Sequence, residues 1–469
     1  MSGKKVHRRE FLKVAGLAGL GLMAGQVVAG CAQPAPQVVE KQVEKVVTQE
    51  VEVQVTAAPT AWKVEVPSQP LEFYGWDFQP QQIEKNIQIF TEQTQIPVNV
   101  NIIPNVGFSG ALQTKIMGGI QMDVFYNFRY NTSKFYYAGW ARRLDDLPGA
   151  DQVLADMFPN AVPLFTAQDG ALICLPYFNA VHMLYFNKSY VEQAGFSGPP
   201  KTRQEVYDQC KKIKEAGLAS IPYAAYWVKE FCEEYLMVYL LADGIKPFDE
   251  KYDPVWKDHS EADDMFDWWQ AMYQDELTSP TMLTDQVTQV VTTMQEGQAA
   301  FFTLHHYFLK GIREAGAKES ANVYLSDYMP GKTGQTFLMG EVIQMSARPT
   351  SLSAAWELMK FYGWKDQDGQ MRTFKEWAKA AALACPYPSF FEDKEVQEAY
   401  GSFYDFKMLV DVFQNRSDPV QARNATWYPE FQTFVGDTIH ELLQGKKTGK
   451  EASAALADKV VALKKEIGG

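Results

Sequence analysis

Residues 71–128 read LEFYGWDFQPQQIEKNIQIFTEQTQIPVNVNIIPNVGFSGALQTKIMGGIQMDVFYNF. LEFYGW is a short apolar and aromatic run, the mark of a strand. Ile83, Ile87 and Phe90 then fall at i, i+4 and i+7, one stripe of an amphipathic helix. PVNVNII alternates and reads as a second strand. Phe108–Gly118 reads as a helix stopped at Gly118-Gly119, and MDVFYNF as a third strand. A β-α-β-α-β order predicts an α/β fold with a parallel sheet covered by helices. Ligands of such sheets bind beyond the carboxyl ends of the strands, here Trp76-Asp77 and Tyr126-Asn127.

Toward the C-terminus, ALICLPY and HMLYFNK read as two strands. A helix follows, opened by a capping box from Thr202 to Glu205, with Val206, Cys210, Ile213 and Gly217 on its apolar face. Asp285–Glu296 reads as a helix ended by Gly297. The next strand, AAFFTL, leads into His305-His306-Tyr307. The C-terminal stretch is mainly helical, and TGKEASAALADKVVALKKEI opens with a second capping box, Thr448 to Glu451.

Toward the N-terminus, Lys4, Lys5, Arg8, Arg9 and Lys13 precede an uncharged Gly/Ala-rich run, Val14 to Gly30. That run is too weakly apolar for a good membrane span and reads as an export signal. RREFLK resembles a twin-arginine signal, whose pathway exports folded chains. VVAGC resembles a bacterial lipobox, which implies cleavage before Cys31 and lipidation of its thiol. Residues 1–30 are therefore expected to be a signal peptide. Residues 31–69, with AQPAPQ, TAAPTA and a Val/Glu/Lys tract, are expected to be a lipidated cysteine and flexible tether.

The whole chain of 469 residues carries a formal charge of −13, and its basic leader makes the rest more acidic still. That opposes binding to phosphate-rich nucleic acid. The length favours two domains over one core. Aromatics at 13% exceed what the core needs, so some are expected to face a ligand. Cys174, Cys210, Cys232 and Cys385 show no C-x-x-C or Cys/His metal spacing. A buried thiol is the simple reading of Cys210. Outside the cytoplasm, Cys174–Cys385 and Cys210–Cys232 are the candidate disulfides. Six histidines and scattered cysteines offer no evident ligand set, so no metal or cofactor is expected.

Four segments taken together carry a resemblance: GGIQMDVFYNF…AGWARRLDDL, DGALICLPYFNAVHMLYFNKSYVEQAGFSGPPKTRQEV, MQEGQAAFFT and YPEF…IHELLQGKKTGKEASAAL. They resemble the family 1 extracellular solute-binding proteins of bacterial ABC importers, the sugar-binding type, from about Leu71 to Ile467. LPY…YFNK…PPKT is the specific part. The resemblance implies a two-lobed, type II-like periplasmic-binding-protein fold with the ligand cleft between lobes joined by hinge crossovers. Those crossovers are expected near Phe178–Val181, Met329–Leu338 and Pro386–Ser389. Residues 70–178 and 336–385 would form the N-lobe, and residues 179–335 and 386–469 the C-lobe. It also implies a function: a monomeric, non-enzymatic, lipid-anchored extracytoplasmic receptor. It would capture a mono- or oligosaccharide or polyol by lobe closure and deliver it to ABC permease subunits.

Sugars offer C–H faces to aromatic rings and hydroxyls to polar side chains. Candidates at strand ends are Trp76, Asp77, Tyr126 and Asn127, with His305, His306 and Tyr307 after AAFFTL. Tyr177 stands at the first crossing. The resemblance adds Trp227 and Gly340-Glu341, and more weakly Arg423 and Trp427. Core packing is the competing reading for each aromatic. Tyr136-Tyr137 would suit a ferric-iron binder, but their place in a probable helix favours packing. Glu233-Glu234 and Asp263-Asp264 read as solvated helix faces. An exported glycosidase would need two carboxylates across a cleft, and a serine hydrolase a G-x-S-x-G elbow. GFSG at residues 195–198 is only a loop before Pro199-Pro200.

Overall fold

The computed structural model describes residues 62–105 and 107–467. The expected signal peptide, the expected lipidation at Cys31 and most of the expected tether fall outside the described residues. Among the described residues, nine strands make one sheet: β1 (Leu71–Trp76), β2 (Val98–Ile103), β3 (Val124–Asn127), β4 (Leu175–Asn187), β5 (Tyr223–Ala224), β6 (Phe301–His305), β7 (Val323–Leu325), β8 (Thr336–Met345) and β9 (Ser417–Asp418). The main path runs β2-β1-β3-β8-β4-β6-β5, with β7 on β4 and β9 on β8.

The first part of the sheet follows the sequence. β1 lies parallel to both β2 and β3. The helix Pro80–Thr94 between the first two strands buries Ile83, Ile87 and Phe90. The helix Phe108–Met117 ends at Gly118. Trp76 and Asn127 therefore stand at the same, carboxyl, edge of the sheet.

β4 differs from the expectation of two strands separated by a crossing. It is one strand of 13 residues, buried along nearly its whole length. As far as Val181 it pairs with β8, and from His182 onward with β6. The same strand thus hands the chain from one part of the sheet to the other. The register slips between Pro176 and Phe178, where a proline cannot donate to the ladder. Gly340 lies opposite Asn179, and a Cβ there would fall 2.5 Å from Asn179 Nδ2. Close apposition of these long central strands is what the glycine provides.

The capping box at Thr448 forms as expected, whereas the one at Thr202 is only half made. Thr202 Oγ1 accepts the Glu205 N–H at 3.1 Å ahead of helix Arg203–Glu215, while the Glu205 carboxylate reaches back one residue further, to the Lys201 N–H. Thr448 and Glu451 bond reciprocally at the start of helix Gly449–Ile467. Cys174, Cys210, Cys232 and Cys385 are all buried and free, so neither expected disulfide is present. Among the described residues no helix is long and apolar enough to cross a membrane.

Candidate functional site

The carboxyl edge of β1 and β3 is an aromatic nest. Trp76 stacks on Phe128, with ring centroids 5.1 Å apart and planes 12° apart. Phe128 in turn stacks on Tyr130 at 5.6 Å. On the other side of Trp76, Tyr126 lies at 4.8 Å and stacks on Tyr177 at 4.2 Å. Tyr177 continues edge-on to Phe178, and Phe178 edge-on to Tyr307, which follows β6. Trp76, Tyr126, Tyr177 and Tyr307 are thereby connected by ring contacts, although they arise from four separate stretches of chain.

Charged groups converge on the same region. The Arg129 backbone N–H donates to Glu341 Oε2 at 2.6 Å, and its guanidinium donates to Thr132 and to the Pro163 carbonyl. Arg423 Nη2 donates to Glu233 Oε2 at 3.2 Å, and Tyr428 donates to the other oxygen of that carboxylate. The Arg423 guanidinium lies 4.9 Å above the Phe337 ring and 5.9 Å from the Tyr130 ring. Burial pushes the Glu341 carboxyl up to about 8 against the opposing pull of Arg423, and pulls Arg129 down to about 10. Burial likewise raises Glu233 despite its pairing with Arg423.

Several buried polar atoms here have no partner within the protein: the Tyr177 hydroxyl, Arg129 Nε, and Arg423 Nε and Nη1. Most buried polar atoms in folded proteins are hydrogen-bonded, and these four are exceptions.

The other expected residues are placed differently. Asp77 is exposed and accepts the Asn105 N–H at 2.9 Å. Asn127 donates to Gln344 at 2.8 Å, and Gln344 is itself bonded to the Thr132 and Ile173 carbonyls. Trp227 packs on Trp269 at 5.3 Å, and Trp427 is buried against Phe248, Tyr428 and Phe431. His306 accepts the Val181 N–H and faces Tyr400 and Phe413. Gly340 serves the β4–β8 contact. His305 Nε2 donates to Glu234 Oε2 at 3.2 Å, and its Nδ1 accepts from the Tyr307 hydroxyl at 3.3 Å. Tyr136 is bonded to Asp169, and Tyr137 is 46% exposed.

Glu233 and Glu234 correct the expectation of a solvated face: both are buried, in the first turn of helix Cys232–Ala242. The signal was present in CEEYLMVYLLA. A helix apolar on all sides is a buried helix, and its only two charges go inside with it. Phe128, Arg129 and Tyr130 were also missed, although they directly follow the third strand.

The family model described as bacterial extracellular solute-binding protein matches residues 78–362, more than half of the chain. The chain belongs to this family of bacterial extracellular solute-binding proteins. The fold of this solute-binding protein is similar to maltose-bound MalE3 of T. maritima, with a TM-score of 0.72 at 20% identity over 84% of this chain and 99% of that one. It is also similar to a mannitol-bound ABC transporter solute-binding protein of Agrobacterium vitis S4, with a TM-score of 0.68 at 19% identity over 85% and 99%. A third similar structure is the GacH receptor of Streptomyces glaucescens GLA.O, with a TM-score of 0.71 at 16% identity over 85% and 99%. Among curated proteins, the sn-glycerol-3-phosphate-binding periplasmic protein UgpB of Rhizobium meliloti is 35% identical over 72 residues, 15% of this chain and 17% of that relative. The match thus spans about a sixth of the curated relative's length.

Proposed function

We propose that this solute-binding protein captures a carbohydrate, a mono- or oligosaccharide or a polyol, and delivers it to an ABC permease. The observation that carries the reading is the aromatic nest of Trp76, Phe128, Tyr130, Tyr126 and Tyr177 beside buried polar atoms that lack partners in the protein. Rings take the C–H face of a sugar, and the Tyr177 hydroxyl and the Arg129 and Arg423 guanidiniums supply hydrogen bonds. Similar folds come from proteins solved with maltose and with D-mannitol, which supports the same class. The residues assigned to the solute are Trp76, Tyr126, Tyr177, Tyr307, Glu341 and Arg423, joined by Phe128, Arg129 and Tyr130.

Closure of two lobes sequesters the solute, segments 70–178 and 336–385 moving against segments 179–335 and 386–469. Long strands that pass from one part of the sheet to the other, as β4 does, are suitable connections for such a motion. A solute drives closure only by binding the closed form more tightly. Lipidation of Cys31 after twin-arginine export would hold the receptor beside its permease, with residues 32–69 as the tether.

Thermal denaturation with maltose, D-mannitol and a wider sugar and polyol panel tests the class. A carbohydrate should raise the melting temperature, and Trp76→Ala should abolish the rise; a panel without any shift rejects the assignment. A second reading, a phosphorylated polyol, is favoured by the two buried guanidiniums with unpartnered nitrogens and by the local similarity to UgpB. sn-Glycerol 3-phosphate belongs in the same panel, and a shift with it alone selects this second reading.

A further inference from the structure

The register of β4 and β6 sets His182 directly opposite His305. Directly opposed residues of an antiparallel pair project from the same face of the sheet, and the two imidazoles are 4.3 Å apart. Onto this face the first turn of helix Cys232–Ala242 brings Glu234. Glu234 Oε2 lies 3.2 Å from His182 Nε2 and 3.2 Å from His305 Nε2. All three side chains are buried.

We propose that His182 Nε2, His305 Nε2 and Glu234 Oε2 bind a divalent transition-metal ion of the zinc class, a site distinct from the proposed solute contacts but joined to them through Tyr307. Three arguments support it. First, the donor set of two imidazoles and one carboxylate is one that zinc takes with a further position left for an oxygen ligand. Tetrahedral vertices about 2.1 Å from an ion are spaced roughly 3.4 Å, close to the observed separations. Second, His182 is wholly buried, and neither of its ring nitrogens has a hydrogen-bond partner. Its Nε2 lies 3.2 Å from Glu234 Oε2 without a hydrogen bond formed between them. A buried unpaired nitrogen is costly, and coordination would satisfy Nε2. Third, the surroundings orient the ligands. Tyr307 stacks on His305 at 5.3 Å and its hydroxyl meets Nδ1 at 3.3 Å, the outer partner that a metal-bound histidine uses.

The sequence hid this cluster because its members come from positions 182, 234 and 305, with no short spacing among them.

Tag-free full-length protein, stripped with chelator and dialysed, is titrated with zinc chloride by calorimetry in the absence of any sugar, with metal content measured by mass spectrometry. One equivalent should bind, and Co²⁺ in its place should give visible ligand-field bands. His182→Phe, which suits the apolar neighbours Phe337 and Tyr235, should weaken zinc at least 100-fold while retaining a cooperative melt in chelator. Glu234→Gln should do the same; if it fails to fold, His182→Phe carries the test. Absence of stoichiometric zinc binding, or binding left unchanged by His182→Phe, overturns the proposal. Because no sugar is present, this result is independent of the solute assignment.

Discussion

Glu341→Gln should make the protein more stable than wild type at neutral pH and equal to it in acid. Glu341 is buried, and its Oε2 accepts one backbone N–H, from Arg129. Burial pushes its pKa from 4.5 in a free chain to about 8. Between those values the folded protein holds a proton that the unfolded chain has lost. Stability contributed at this site is therefore fully present below the unfolded value and declines as pH rises toward the folded one, by about 1.4 kcal/mol per pH unit. Glutamine keeps the acceptor for Arg129 and never ionises. The difference in unfolding free energy, variant minus wild type, should thus be near zero at about pH 4.5 and reach roughly 4 kcal/mol by about pH 7.5. His182 and His306, which burial lowers to about 4 and about 3, impose the opposite slope as pH falls below their ordinary 6.5. That slope is common to both proteins and cancels in the difference. Urea unfolding at several pH values measures it. Parallel curves, or a wild type that gains on the variant as pH rises, would show that burial does not hold Glu341 protonated. They would mean that Arg129 and Arg423 keep Glu341 ionised.

Arg423→Met leaves the buried Glu233 carboxylate without its cation and should cost about 3–5 kcal/mol, with Glu233→Gln added on top recovering much of the loss in a double-mutant cycle. Gly340→Ala forces a Cβ to 2.5 Å from Asn179 Nδ2 and 2.8 Å from the Phe178 carbonyl oxygen, so urea denaturation should register about 1–3 kcal/mol of destabilisation. Burial raises the thiols of Cys174, Cys210, Cys232 and Cys385, so a thiol reagent should label none of the four in the native protein and all four in denaturant. Labelling of fewer than four in denaturant without reductant would reveal a disulfide.

Local rules of sequence were enough for the first part of the sheet. Residues 71–127 switch between short apolar runs and a 3.6-residue stripe, and each element there can be read from its own residues. The capping boxes at Thr202 and Thr448 were legible for the same reason: donor and acceptor lie within one turn. β4 was not. Asn179 in its middle looks like a break between strands, yet it pairs across the sheet with Gly340, 161 positions later in the chain. Nothing local announces that partner. Aromatic site candidates divided on similar grounds. Trp76, Tyr126 and Tyr177 meet in one nest, whereas Trp227 and Trp427 pack among helices. Both groups are aromatic residues in apolar surroundings, and only tertiary packing distinguishes them. Arg129 was overlooked because a single arginine after a strand looks like a surface residue. Its burial depends on Thr132, Pro163 and Glu341 together.

The nest around Trp76 is proposed to hold a carbohydrate. The most direct test is calorimetric titration of wild-type and Trp76→Phe protein with the sugar or polyol that most raises the melting temperature, since a saturating ligand at one hundred times its Kd adds about 2.7 kcal/mol to stability. Phenylalanine keeps the core filled but presents a smaller ring. Wild type should bind one to one, and the variant at least about tenfold more weakly, the equivalent of 1.4 kcal/mol. Equal affinity in the two proteins would place the solute elsewhere and contradict the proposal.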